Sequence, residues 1–213
     1  MERVMEPRCL RLAILASGRG SNFMAIRDAI NKGALNAQIS VLISDKANAP
    51  ALQRAEQSGI PGVFMDPRVY PDRQTYECEI VKQLESREID LIVLAGYMHL
   101  VGRALLHAYP HKILNIHPAL LPSFSGLHAQ RQAVDYGVKY SGCTVHFVDE
   151  GMDTGAIIDQ VVVPLNHHDT EDDLAERILV EEHKIYAKVL QWIAEGRVYI
   201  EGRQVFVDHR SEF

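Results

Sequence analysis

Asn115 and His117 are the side chains whose types and spacing best suit catalysis. They lie two residues apart at the carboxyl end of a predicted strand, 112–116 (KILNI), so both leave the strand on one face. An amide can donate to a developing oxyanion, and an imidazole can transfer a proton. In open α/β sheets this end of a strand is where ligands bind. A structural histidine before Pro118 is the alternative interpretation.

A glycine-rich turn, SGRGSN at 17–22, joins the predicted strand 10–16 to a helix. Its glycines allow a tight turn and close approach of a ligand to the backbone. Gly20, Ser21 and Asn22 precede the helix start, whose free N–H groups favour an anion such as a phosphate. The motif lacks the third glycine of a dinucleotide fingerprint and the GK[ST] of a Walker loop. Either it binds phosphate locally, or it only connects strand to helix.

Two carboxylates stand at unusual positions. Asp153 lies in the turn 149–155, where it can pair with His117 and keep the imidazole charged, or serve the turn alone. Glu182 falls inside the apolar stripe of a predicted helix, 171–194. A carboxylate buried there needs a partner or a polar ligand, whereas one at the edge of the stripe would face water.

Metal and covalent chemistry have little support in this sequence. His107 and His111 are four residues apart, but the proline between them breaks the helical face. The three cysteines are widely spaced, without a CxxC motif, and Cys143 falls in an apolar strand where thiols are inert. We expect no metal site and no covalent enzyme intermediate.

The elements that must position these residues alternate along the chain as in parallel βαβ units. Predicted strands fall at 10–16, 38–44, 62–65, 91–95, 112–116, 143–149 and 156–163, with a hairpin at 198–207. Predicted helices fall at 23–31, 51–58, 72–87, within 126–137, and at 171–194. The sequence predicts an α/β fold: a Rossmann-like, mostly parallel twisted sheet with helices on both faces.

The composition limits the class of protein. The 213 residues are 47% hydrophobic and 23% charged, values typical of a globular protein. A formal charge of -6 argues against a broad nucleic-acid binder, and no run approaches the roughly 20 apolar residues of a membrane span. The first residues lack the apolar core of a signal peptide. We expect a cytoplasmic protein with an N-terminal extension (1–9), one domain (10–207) and a C-terminal tail (208–213).

Together these segments resemble the phosphoribosylglycinamide formyltransferases, the folate-dependent enzymes of purine synthesis. The resemblance runs from about residue 10 to 207 and rests on SGRGSN, LAGYMHLV, ILNIHPALLPSFSGLHAQRQA, GCTVHFVDEGMDTGAII and EEHKIYAKVL. NIHP, LLP and HFVDEGMDTG are typical of the wider group that uses 10-formyltetrahydrofolate. The SG-x-GSN turn indicates the glycinamide ribonucleotide branch and implies the formyltransferase fold.

The resemblance implies roles for individual residues. The family's catalytic residues are matched by Asn115, His117 and Asp153. The residues that hold the nucleotide substrate and its phosphate in the family correspond to Gly20, Ser21, Asn22 and Glu182. The folate pocket is matched by Arg73, Met98, His99, Leu100, Val101, Asn115 and Asp149. Three positions depart from the pattern: His99 replaces a familiar arginine, and Ser125 and Ala156 each replace a proline.

The implied reaction passes the formyl group of 10-formyltetrahydrofolate, a co-substrate, directly to the amine of 5-phosphoribosylglycinamide. Asn115 and a protonated His117 would stabilise the oxyanion, and Asp153 would orient His117. The expected partners are these small molecules, and we expect no binding to nucleic acid or to a membrane. The sequence leaves open whether the chain forms a homodimer. One alternative is a formyltetrahydrofolate deformylase, which is disfavoured because only nine residues precede the predicted first strand. The other is a non-enzymatic nucleotide-binding module.

Overall fold

Ten strands and six α-helices build residues 1–209, the part of the chain that the computed structural model describes. The strands are β1 (Glu2–Arg3), β2 (Leu10–Leu15), β3 (Ala37–Ser44), β4 (Gly62–Phe64), β5 (Leu91–Leu94), β6 (Ile113–His117), β7 (Tyr140–Phe147), β8 (Ile157–Pro164), β9 (Val198–Glu201) and β10 (Gln204–Val207). The helices are α1 (Ser21–Asn31), α2 (Pro50–Gln57), α3 (Arg73–Glu85), α4 (Arg103–Ala108), α5 (Ala129–Tyr136) and α6 (Glu171–Ala194).

Seven of the strands form one sheet in the order β4-β3-β2-β5-β6-β7-β8. The first five are parallel, and β7 and β8 are antiparallel. The chain runs outward from β2 to β4 and then returns to β5 on the other side of β2. The carboxyl ends of β2 and β5 therefore border the crevice of a topological switch point. The predicted α/β class and mostly parallel sheet are confirmed.

Apolar side chains cover both faces of the sheet, as the near-continuous hydrophobic strands predicted. On one face, side chains such as Leu12 and Ile14 of β2 pack with residues of α1, α2 and α6. On the other face, Ala13 and Leu15 of the same strand pack with α3 and α4. Because successive side chains of a strand point to opposite faces, one strand serves both cores.

Several short elements differ from the sequence-based prediction. Glu2–Arg3, inside the predicted extension 1–9, pairs with β9 in a small antiparallel sheet, so Leu10 does not begin the first strand. The six-residue helix α4 was not predicted, and β7 begins at Tyr140 rather than at 143. Two-residue strands and single helical turns are too short to produce a readable hydrophobic period. Of the predicted tail, residues 210–213 lie outside the described residues.

Within residues 1–209, no helix combines the length and the apolar character that crossing a membrane would require. The division into extension, domain and tail stays a prediction, as does the cytoplasmic location.

Candidate active site

The SGRGSN turn leads directly into α1, two residues earlier than predicted. Gly20 is the residue before the helix and has a φ of 73°, in the left-handed region that favours glycine. A Cβ on Gly20 would lie 2.8 Å from the Cβ of Ala51, so the turn and α2 approach too closely for any side chain. Ser21 and Asn22 therefore form the first turn of α1, where unpaired N–H groups are available to an anion.

Glu182 reaches this turn from α6. Asn22 Nδ2 donates to Glu182 Oε2 at 2.9 Å, and both side chains are buried. Tyr186, one helical turn later, donates its hydroxyl to the carbonyls of Leu94 and Leu114, which places Glu182 a turn nearer the carboxyl edge of the sheet. Of the two alternatives that the sequence left open for Glu182, the structure shows the buried carboxylate.

The charge balance at Glu182 is unfavourable. Burial raises the pKa of the Glu182 carboxyl, and the hydrogen bond from Asn22 opposes that shift only in part. Asn22 Oδ1 is also buried and makes no hydrogen bond with the described residues. Two acceptors thus lie side by side without enough donors, which is the condition of a polar site awaiting a ligand.

Asn115 and His117 lie at the carboxyl end of β6, next to the antiparallel strand β7. The pairing sets Asn115 opposite His146 and His117 opposite Thr144. Asn115 Nδ2 lies 3.2 Å from His146 Nε2 and 3.5 Å from Asp153 Oδ1. Since both neighbours are acceptors, this orientation of the amide is the one that satisfies them. The longer contact leaves one amide hydrogen only weakly held.

His117 is held by acceptors on both ring nitrogens. Nδ1 lies 3.3 Å from Asp153 Oδ2, and Nε2 lies 2.8 Å from the backbone carbonyl of Phe124. Both neighbouring atoms are hydrogen-bond acceptors, one a carboxylate oxygen and the other a backbone carbonyl oxygen. The residue is 5% exposed, and the Phe124 carbonyl covers its outer nitrogen.

Asp153 is fixed by the turn between β7 and β8. Its φ of 55° lies in the left-handed region, which Asp tolerates better than most residues. Asp153 Oδ2 also accepts from the backbone N–H of Gly126 at 2.8 Å, tying this turn to the loop after β6. Asp149 holds the turn by accepting from the Gly151 N–H at 3.0 Å and the Thr154 hydroxyl at 2.6 Å.

His146 is a member of this cluster that the sequence analysis did not single out. Its Nδ1 lies 2.8 Å from the Phe147 carbonyl, and burial lowers the pKa of its imidazole. The neutral ring donates through Nδ1 and so presents Nε2 as the acceptor for Asn115. The signal was available: Thr144 and His146 are polar residues alternating with apolar ones in β7, which predicts a polar face.

A segment without helix or strand, residues 96–102, follows β5 at the switch point. The Met98 N–H donates to Ser17 Oγ at 3.0 Å, which joins the segment to the glycine-rich turn. His99 Nε2 lies 3.0 Å from the carboxylate of buried Asp45. The side chains of Met98 and Leu100 are exposed and supply an apolar surface.

Arg73 is directed at this segment. Its Nε donates to Glu77 Oε1 at 3.0 Å, and its Nη2 donates to the Leu100 carbonyl. Thus the structure groups Arg73 with Met98–Val101. It groups Asn115, His117 and Asp153 separately, and Asn22 with Glu182. Asp149 is exposed, and its Oδ1 accepts hydrogen bonds only from within its own turn.

The described residues contain no group of three or more His, Cys, Asp or Glu side chains arranged to hold a metal ion. The groups of the cluster can transfer a proton, through an imidazole paired with a carboxylate, and can stabilise an oxyanion through an amide.

The fold and these side chains define an α/β protein with a cluster of imidazole, amide and carboxylate groups at the carboxyl edge of a switch-point sheet. A family model described as formyl transferase matches residues 10–190, and the chain belongs to this family. The phosphoribosylglycinamide formyltransferase of Bacillus subtilis is 45% identical over 181 residues, covering 85% of this chain and 93% of the relative.

Longer relatives contain the same domain. A trifunctional purine biosynthetic protein, adenosine-3, of Drosophila melanogaster is 41% identical over 93% of this chain, which spans only 15% of that protein. The crystal structure of glycinamide ribonucleotide transformylase 1 from Symbiobacterium toebii superposes with a TM-score of 0.92 at 47% identity, covering 96% of this chain and 94% of the other. A formyltetrahydrofolate deformylase from Pseudomonas syringae superposes at 0.86 with 28% identity, covering 96% and 67%.

Proposed function

We propose that this enzyme transfers the formyl group of 10-formyltetrahydrofolate to the amine of 5-phosphoribosylglycinamide, in purine biosynthesis. The observation that carries the proposal is the His117–Asp153 pair beside Asn115, at the crevice that also receives the SGRGSN turn. The names of the most similar relatives supply the substrates. The deformylase shares the fold at lower identity, so hydrolysis of formylfolate is the second activity to test.

The nucleotide substrate fits the turn before α1 and the buried carboxylate of Glu182. The N–H groups of Ser21 and Asn22 at the helix start would receive the phosphate. Glu182 and Asn22 Oδ1 would receive hydroxyl or amine donors of the same molecule, which ends their shortage of donors. One substrate with an anionic end and a donor-rich middle thus satisfies both sets of groups.

The folate would lie against the 96–102 segment, with its formyl group directed at the imidazole cluster. The exposed side chains of Met98 and Leu100 suit an aromatic ring system, and Val101 lies buried behind them. His99 is engaged with Asp45, so this histidine contributes to the shape of the pocket more than to its charge.

The reaction then follows from the groups in the cluster. The amine nitrogen attacks the formyl carbon, and the carbonyl oxygen becomes an oxyanion that Asn115 and protonated His117 stabilise. The bond between the formyl carbon and N10 of the folate breaks. The proton lost by the attacking amine reaches N10 through His117, which leaves formylated product and tetrahydrofolate. Asp153 keeps the ring oriented.

The Phe124 carbonyl must move away from His117 during this reaction. It accepts the hydrogen bond of His117 Nε2, the nitrogen that would serve the substrate. The formyl oxygen can replace that acceptor only if the loop carrying Phe124 shifts. Substrate binding would therefore exchange one acceptor for another on the same nitrogen.

An absorbance assay tests the proposal. The purified chain is supplied with 10-formyltetrahydrofolate, with and without 5-phosphoribosylglycinamide, and the folate product is followed. We expect turnover only when both substrates are present, and formylated nucleotide in equal amount. Equal rates with and without the nucleotide would establish the deformylase instead. Binding of both molecules without turnover would establish a non-enzymatic module. The homodimer and the cytoplasmic location remain predictions.

A further inference from the structure

We propose that Glu77, a buried carboxylate of α3 outside the reacting cluster, is a positioning residue for the formylfolate substrate. It holds the C-terminal part of the 96–102 segment, residues 100–102, in the shape that contacts the folate. This inference rests on the proposed function, because that function assigns the segment to the folate. Glu77 itself would touch neither substrate.

Glu77 is buried beside hydrogen-bond donors that can stabilise a carboxylate. The residue is 3% exposed, although carboxylates are rarely buried to this extent without a partner. Its Oε1 accepts from the backbone N–H of Gly102 at 2.6 Å and from Arg73 Nε at 3.0 Å. A carboxylate hydrogen bond to a backbone N–H and to a guanidinium is stronger than a neutral one.

Arg73 extends this contact to a second point of the segment. Through Nη2 the same guanidinium donates to the carbonyl of Leu100. Glu77 therefore fixes Gly102 directly and Leu100 through Arg73, two peptide groups on either side of Val101. Residues 96–102 form neither helix nor strand, so their shape depends on such anchors.

The other half of the segment has its own anchors. The Met98 N–H is held by Ser17 Oγ, and His99 is held by Asp45. Loss of the Glu77 contacts would thus loosen the backbone at Leu100 and Gly102 and leave residues 96–99 in place. Val101 is buried in the same apolar core as Ile80 and Leu84 of α3, so its side chain still attaches the segment to the fold. We expect a local change in the folate pocket rather than unfolding.

Gly102 offers a way to break the contact without removing the carboxylate. A Cβ at this position would lie 2.6 Å from Glu77 Oε2 and 2.7 Å from Oε1. Gly102 has a φ of -101°, which alanine adopts without strain. Gly102→Ala therefore displaces the end of the Glu77 side chain and keeps every charge.

The experiment compares Glu77→Gln, Gly102→Ala and the double variant with Glu79→Gln. Glu79 is the matched control, because its carboxylate pairs with Lys82 on the same helix. Steady-state kinetics with both substrates are combined with direct binding of 10-formyl-5,8-dideazafolate, a stable formylfolate analogue. Thermal unfolding of each variant reports whether the fold is retained.

We expect each single variant to raise the KM for formylfolate and the Kd of the analogue about tenfold, the loss expected for one charge-assisted hydrogen bond. The KM for the nucleotide and kcat should stay within about twofold. The double variant should be no worse than the singles, because both remove the same contact. Glu79→Gln should match the parent.

Three outcomes would overturn the inference: unchanged formylfolate KM and analogue Kd in both singles, equal losses for both substrates, or tighter binding in Glu77→Gln. The last would mean that Glu77 only neutralises Arg73. If the parent binds the analogue but transfers no formyl group, the proposed function fails, and the binding measurements still decide the role of Glu77.

Discussion

The imidazole cluster and the glycine-rich turn with Glu182 differ in how many of their polar atoms have hydrogen-bond partners. In the cluster, both nitrogens of His117 and both oxygens of Asp153 have partners within the protein. In the turn, Asn22 Oδ1 has none, and Glu182 has one neutral donor. The polar groups of the cluster are thus paired within the protein, whereas those of the turn are not all paired.

This difference indicates where each region contributes. A preorganised cluster lowers the barrier of the chemical step, since its dipoles need no rearrangement when charge develops. An incomplete site contributes binding energy instead, because the ligand supplies donors that the protein lacks. Variants in the two regions should accordingly separate kcat from substrate affinity.

The largest effect is expected for His117→Ala. Removing the imidazole eliminates the proton-transfer group and one oxyanion donor, so kcat should fall about a thousandfold. The Kd for 5-phosphoribosylglycinamide, measured by calorimetry, should change less than threefold. Parent-like kcat, or a loss confined to nucleotide binding, would contradict the contrast between the regions.

A smaller effect of the opposite kind is expected for Glu182→Gln. The KM for the nucleotide should rise about tenfold, because a charged acceptor becomes a neutral one, while kcat changes little. The same variant should be more thermally stable, since no buried charge remains. A raised carboxyl pKa means that the parent loses stability as pH rises above the ordinary value of about 4.5. The gain in Tm should therefore be larger at pH 8 than at pH 5; a gain that shrinks with rising pH would refute this account.

The smallest effect is expected at His146, which orients Asn115. His146→Leu removes the acceptor for the amide and should lower kcat about fivefold with unchanged KM values. His146→Gln, which can supply an acceptor oxygen, should recover most of this loss. Equal activity of both variants and the parent would show that Asn115 needs no such support.

Much of the site follows from local sequence. The spacing of Asn115 and His117 at a strand end predicts a shared face, and the apolar stripe marks Glu182 as an unusual position, either buried or at the edge of the stripe. Such inferences succeed because the period of a strand or helix fixes direction locally.

The contacts between distant residues could not be predicted in the same way. His117 and Asp153 meet because β7 runs antiparallel beside β6 and its turn brings Asp153 back to the edge, which depends on strand order. The contact of His117 with the Phe124 carbonyl could not be predicted either, because the position of a backbone group in an irregular loop does not depend on the type of its side chain. His146 leaves a weak signal in the sequence, because it lies in a mostly apolar strand that is buried on both faces.

The hydrogen bond between His117 and Phe124 has a consequence for the resting enzyme. While the Phe124 carbonyl accepts from His117 Nε2, that nitrogen cannot donate its proton to assist attack by water. Under the proposed function, hydrolysis of the formyl donor would be slowed until the loop carrying Phe124 shifts. Selectivity against water would then arise from a single peptide carbonyl as well as from the shape of the crevice.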